Sequence, residues 1–179
     1  MEYIFQSERL GFRKWKEADL IPFCEMNSDK DVMEFFPSIL SKLDSIKFAD
    51  KINEQFLNYG YGLYAVEELK TTQFIGFIGF WHPSFELKHS PFIEIGWRIR
   101  KEYWNRGYAT EGAVQCLNYG FNHLNFQKIY SLTSKINLKS IRVMNKIGMT
   151  KLEDFQHPNI QNNNKLKPHV LYVIEKSTH

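Results

Sequence analysis

Cysteine is scarce in this sequence: Cys24 and Cys116 stand far apart in 179 residues. A disulfide framework or a structural zinc site needs more thiols at closer spacing, so both are excluded. The six histidines are scattered without metal-ligand spacing, and no metal is expected. Long apolar runs are also missing; none approaches the ~18 residues of a membrane span. The opening MEYIFQSERL lacks the basic-then-apolar layout of a signal peptide, so a cytoplasmic protein is expected. Excess charge of one sign is absent too. Twenty-three basic and 20 acidic residues leave a net +3, with no Lys/Arg run. A nucleic-acid binder carries a stronger or clustered excess, so neither nucleic acid nor a membrane is expected as a partner. Finally, there is no GxxxxGK[ST] and no three-glycine dinucleotide turn, which argues against an NTPase or a Rossmann enzyme.

What is present describes a globular chain. Hydrophobic residues at 43% and charged residues at 24% fit a folded domain with a real core, and the length suggests one domain over residues 1–179. Aromatics reach 16%. That level fits a well-filled core or an aromatic-lined cleft, and composition does not separate them. Phe35, Phe36, Trp81, Phe85 and Trp104 are the cleft candidates, with core packing the commoner fate of such side chains.

Periodicity places the elements. A first strand is expected over Leu10 to Trp15, then a helix reaching Met26. A second helix from Lys42 to Leu57 places Ile46, Ala49, Ile52, Phe56 and Leu57 at helical spacing. Strands follow at Leu63–Val66, at Gln73–Trp81 and at Phe92–Ile99. QFIGFIGFW is apolar on both faces, as a central strand is. In the Phe92–Ile99 strand, Ile93, Ile95, Trp97 and Ile99 share one face, and Glu94, Gly96 and Arg98 share the other. A helix with stripe Ala109, Ala113, Leu117, Phe121 and Leu124 comes next, then a strand over Lys128–Thr133. Asn137 opens a short helix with Leu138, Ile141, Met144 and Ile147 inward, and Gly148 stops it. Two late strands, Met149–Phe155 and Pro168–Lys176, flank a polar Asn-rich loop. The pattern predicts a mixed α/β sheet with helices packed on its faces.

The junction EYWNRGYATE, residues 102–111, invites two readings. One is a plain strand-to-helix turn. The other is an anion cradle: the first N–H groups of a helix lack internal partners and the dipole is positive there. Gly107 would let backbone approach a ligand, Ala109 keeps the wall small, and Arg106 could add charge.

The stretches EIGWRIRKEYWNRGYATEGA and NLKSIRVMNKIGM, with ERLGFRKWKEADL and FIGFIGF, together resemble the GNAT superfamily of acetyl-CoA-dependent N-acetyltransferases. The likeness is greatest to the RimJ/RimL-like branch, the ribosomal-protein N-terminal acetyltransferases. It implies the GNAT fold, a mostly antiparallel central sheet with helices on both faces. It also implies that Asn105, Arg106, Gly107, Tyr108, Ala109 and Thr110 form the CoA pyrophosphate loop. Trp97, Arg98 and Ile99 would offer backbone to the pantetheine arm, and Asn137 would contact the cofactor. The sequence departs from the pattern twice. Trp104 stands where Gln or Arg is common. Met144 stands where many relatives carry a proton-donating Tyr.

Ser140, one turn after Asn137, is then the candidate donor to the leaving thiolate, or simply the third residue of the capped helix. Glu94 could take the proton an attacking amine must lose, since alkylammonium groups are protonated near neutrality. It could equally pair with Arg98 along the strand. His82 is a weaker base. Glu111 is accounted for by the helix dipole. The expected partner is an amine acceptor: a protein N-terminus, or alternatively a polyamine, amino sugar or antibiotic. A CoA-binding module without turnover is a third reading. The oligomeric state is open, a homodimer being one form it allows.

Overall fold

The computed structural model describes residues 2–177. Met1, Thr178 and His179, the outer positions of the expected 1–179 domain, lie outside the described residues. Eight strands form one sheet in the order β1-β2-β3-β4-β5-β6-β8-β7. They are β1 (Phe5–Gln6), β2 (Leu10–Arg13), β3 (Leu63–Glu68), β4 (Gln73–Trp81), β5 (Glu94–Ile99), β6 (Lys128–Ser134), β7 (Thr150–Gln156) and β8 (Pro168–Glu175). Four helices complete the fold: α1 (Leu20–Ser28), α2 (Lys42–Tyr59), α3 (Tyr108–Asn122) and α4 (Leu138–Lys146). Every strand pairing is antiparallel except β5 with β6. This is the expected mixed, mostly antiparallel sheet.

Local chemistry sets the element ends. Ser41 Oγ accepts from the Asp44 amide at 3.1 Å and starts α2, and Gly60, with φ of 78°, closes it. The expected first strand stops at Arg13, and a short 3-10 turn at Glu17–Asp19 precedes α1. The reason is electrostatic. Arg13 is buried and donates to Asp19 Oδ2 at 2.7 Å and to Glu67 Oε1 at 2.7 Å, while the Lys16 amide donates to Asp19. This network locks the strand end to the helix start. β1 was not expected; two residues carry too little periodicity to be seen.

β4 is buried on both faces, as its apolar run predicts. Ile78 and Phe80 face α3, whose Gly112 and Gly120 bring the helix backbone close to them. Phe77 faces the other layer, beside Phe23 of α1 and Phe48 of α2. Helices therefore cover both faces. Two expected core residues are exposed instead: Leu57 at 85% and Leu138 at 58%. Leu57 lies beside Phe56 on α2 but off its buried stripe of Ser45, Ala49, Ile52 and Phe56. Leu138 is the first residue of α4, before the helix reaches the core.

One feature of the sheet positions the site. β5 and β6 register at a single pair, Glu94 with Tyr130. The Tyr130 amide donates to the Ile93 carbonyl at 2.9 Å, and Ser131 Oγ donates to the Ile95 carbonyl at 2.9 Å. Beyond Ile95 the strands separate. A strand's hydrogen-bonding direction alternates residue by residue. Ile93 and Ile95 face β6, so the backbone of Trp97 and Ile99 faces the gap, and that of Arg98 faces β4.

Candidate active site

The splay opens into a cavity of about 950 Å³. Its walls come from the α1–α2 loop, β5, the start of α3, β6, α4 and the β7–β8 loop. Trp97, Arg98, Ile99, Asn105, Gly107, Tyr108, Ala109, Thr110, Asn137, Glu94 and Ser140 all line it. Of the ten residues expected to hold the cofactor and the two favoured for catalysis, Glu94 and Ser140, the fold thus gathers eleven. The exception is Arg106. Its guanidinium lies 3.9 Å from Glu68 and over the Tyr103 ring at 5.3 Å, and it is not part of the cavity wall. His82 is elsewhere too, hydrogen-bonded to Tyr61 at 2.9 Å and stacked on Tyr59.

The start of α3 differs from the starts of α2 and α4. Those are capped by Ser41 and Asn137, whereas no side chain caps α3. Gly107 holds the N-cap position at φ 80° and ψ 1°, a left-handed conformation that strains any residue with a Cβ. The acidic residue of the first turn is turned away. Glu111 accepts from Ser7 Oγ at 2.7 Å, the Arg9 amide at 2.8 Å and Arg9 Nε at 2.6 Å. Burial opposes its ionisation, but these bonds outweigh it and keep the carboxyl below its usual range. The helix thus presents its dipole with its own carboxylate occupied elsewhere, which suits an incoming phosphate.

Trp104 is built into the wall. Its Nε1 donates to the Ile99 carbonyl at 2.8 Å, and Lys139 Nζ sits 4.6 Å from its ring. Trp104 therefore has no free donor, and the Ile99 carbonyl is taken. Lys139, Arg142 and Lys146 of α4 also line the cavity. Sequence reasoning passed over them, although their spacing of three and four residues places them on one helical face.

Asn137 and Ser140 form a closed pair. Asn137 Oδ1 accepts from the Ser140 amide at 3.2 Å, and Nδ2 donates to Thr133 Oγ1 at 3.0 Å and Ser140 Oγ at 3.1 Å. A hydroxyl that accepts a hydrogen bond keeps its own proton free to give. Met144, one turn on, is only 1% exposed and carries no such proton.

Glu94 lies on the opposite face of the sheet from α3, beside Trp81 and Tyr130. Among the described residues nothing donates to its carboxyl, and it forms no ion pair with Arg98. Two pleats separate them, a distance of ~13 Å along the strand. Burial pushes the Glu94 carboxyl up to about 8. Gly96, between them, has open space at its side-chain position.

Phe35, Phe36, Trp81 and Trp104 line the cavity, whereas Phe85 packs in a separate small cluster with Phe92, Tyr130 and Leu171. His157 and His169, not anticipated, also face the cavity, with ring centroids 4.8 Å apart. Burial lowers both, His157 to about 4, so they are neutral at pH 7. They lie twelve residues apart and meet only through the pairing of β7 with β8.

Comparison with known proteins identifies the family. The family described as Acetyltransferase (GNAT) domain matches residues 9–150. The chain is 34% identical to the uncharacterized protein YkkB of Bacillus subtilis over 144 residues, covering 80% of this chain and 83% of that one. A solved GNAT-family acetyltransferase from Bacillus anthracis superposes with a TM-score of 0.78 at 30% identity, covering 95% and 96% of the two chains. A spermidine N-acetyltransferase from Vibrio cholerae, in complex with CoA and spermine, shares the fold at TM-score 0.72 and 17% identity, covering 93% and 95%. No helix among the described residues is long and apolar enough to cross a membrane, and no cluster of metal-ligating side chains is found among them. The chain belongs to the GNAT family of acetyltransferases, which use acetyl-CoA, and is an N-acetyltransferase.

Proposed function

We propose that the protein, acting as a single domain in the cytoplasm, acetylates a primary amine at a protein or peptide N-terminus by direct attack in a ternary complex. The observation that carries the reading is the unpaired, raised Glu94 carboxyl in a cavity wall across the sheet from the uncapped start of α3. One group can accept a proton, and the other can hold phosphate. Likeness to the RimJ/RimL-like branch in the two quoted stretches supports the choice of acceptor.

Acetyl-CoA supplies the acetyl group as a thioester. The residues present fit it. The backbone amides of Gly107 to Thr110 hold the pyrophosphate, with Lys139, Arg142 and Lys146 close by. Trp97 N–H, facing the β5–β6 gap, donates to the acetyl carbonyl oxygen as that oxygen gains charge. Asn137 aligns the Ser140 hydroxyl, whose proton goes to the departing sulfur and is replaced from solvent. Glu94, directly or through a water, takes the proton from the amine.

The test is thiol release from acetyl-CoA with N-terminal peptides beside polyamines, amino sugars and aminoglycosides. Turnover on peptides is expected. Turnover confined to small amines would move the acceptor to that class. CoA binding without turnover on any amine would remove the reading.

A further inference from the structure

On the face of β5 turned away from α3, the cavity wall contains a buried cation with no acid to balance it. Arg98 is 8% exposed and lines the cavity. Its Nη1 donates to Asn27 Oδ1, its Nε has no partner, and no carboxylate pairs with it among the described residues. Phe36, Phe48 and Phe77 surround the guanidinium at 4.2, 5.7 and 5.2 Å. The rings attract the charge but supply no planar acceptor for its N–H groups, as a carboxylate would. A structural role alone does not account for a charge here. A buried ion without a counter-ion is costly, and an apolar side chain of similar length would fill the space without that cost.

The rest of the wall has the same sign. Of its acidic residues, Asp31 is bound by Lys101 and Glu94 sits two pleats away. The cavity histidines are neutral. A polycationic acceptor would meet Arg98 with one free carboxyl to offset it.

We infer that Arg98 is a specificity residue that pairs with a carboxylate on the acceptor, so that the preferred substrate is an amine carrying an acidic group. This rests on the acetyl-transfer reading for its setting, but its chemistry is separate from it. The carboxylate could belong to an acidic side chain near a peptide N-terminus or to a free amino acid. Both present the same planar oxyanion to the guanidinium.

Calorimetric titration of the CoA-loaded chain tests this with matched pairs. One arm uses short peptides with Asp or Asn, Glu or Gln, at the second and third positions. The other uses ω-amino carboxylates and their primary amides. Spermidine is the cationic probe. In at least one arm the carboxylate member is expected to bind at least tenfold more tightly than its amide. Arg98→Gln should erase the preference, and Arg98→Lys should keep part of it. Retained CoA affinity reports that each variant is folded. The wild-type comparison stands even if neither variant folds. Less than a twofold preference in both arms would overturn the assignment, as would a preference surviving Arg98→Gln or tightest binding of spermidine. Turnover on the same panel separates the two ideas. A carboxylate preference without acetylation keeps the Arg98 role and removes the acetyl-transfer reading, and acetylation without the preference does the reverse.

Discussion

The surroundings of Glu94 alter its ordinary chemistry. Burial raises its carboxyl to about 8, so as a base it must lose a proton before it works. The kcat/KM of the wild type should rise with pH through about 8. Glu94→Gln should lower kcat by roughly 10²–10⁴ and remove that limb. Titration of the acceptor amine persists in the variant, so the difference between the two profiles isolates Glu94. Stability is linked in the direction opposite to the usual carboxylate. Between about 4.5 and 8 the folded Glu94 holds a proton that the unfolded chain has lost, so stability falls as pH rises through that window. Melting curves of Glu94→Gln should lack this fall, and parallel curves for the two proteins would count against the burial. Ser140 makes a smaller claim. Ser140→Ala should slow turnover by about tenfold while Asn137 still caps α4; an unchanged kcat would return the proton donation to water.

At the scale of the element, the start of α3 does two jobs that Gly107 joins. Its positive φ makes the turn, and its missing side chain leaves the first amides open. Gly107→Ala should cost about 1–2 kcal/mol through backbone strain. Its effect on CoA affinity should be modest, because the nearest atom to the new Cβ is an arginine tip at 3.5 Å. Gly107→Glu carries the same strain and adds a carboxylate where phosphate would sit. Its CoA dissociation constant should exceed that of Gly107→Ala by more than tenfold, measured by calorimetry. Equal affinities in the two variants would mean that no phosphate lies there. The α1–α2 loop also lines the cavity. Ion pairs of Asp31 with Lys101 and Glu34 with Lys139 tie it across the cavity mouth. Such exposed pairs contribute little and leave the loop free to adjust around an acceptor.

Across the whole molecule, the buried network around Arg13 holds the far half of the sheet in place. Arg13 joins β2, the turn before α1 and β3 through Asp19 and Glu67. Arg13→Ala would leave buried Asp19 without a cation and Glu67 with only the part-exposed Lys16 at 3.4 Å, and should destabilise the fold by about 3–5 kcal/mol, read from urea unfolding. Loss of under 1 kcal/mol would show that the network contributes little. Burial works against ionisation of Glu67, but hydrogen bonds from Arg13 and Tyr3 outweigh it and hold the carboxyl below its usual range. The stability it contributes is therefore present above the unfolded carboxyl range. It is lost as pH falls through the lower folded value.

The sequence by itself determined the order of the elements after β1, the central place of β4, the two faces of β5 and the turn at Gly107. Each of these depends on neighbours within one repeat of a strand or helix, and periodicity reads such neighbours directly. It also separated Glu94 and Arg98 from Trp97, because alternation along a strand is local. Only the tertiary structure decided what those faces meet. It showed that β5 and β6 part after a single pair, that Arg106 turns to Glu68 and Trp104 to Ile99, and that Glu94 and Arg98 do not pair. It also brought His157, just after β7, and His169 of β8 to the cavity from far along the chain. These outcomes depend on the spacing of packed strands and on which partner each charge finds, and neither is set by neighbours along the chain.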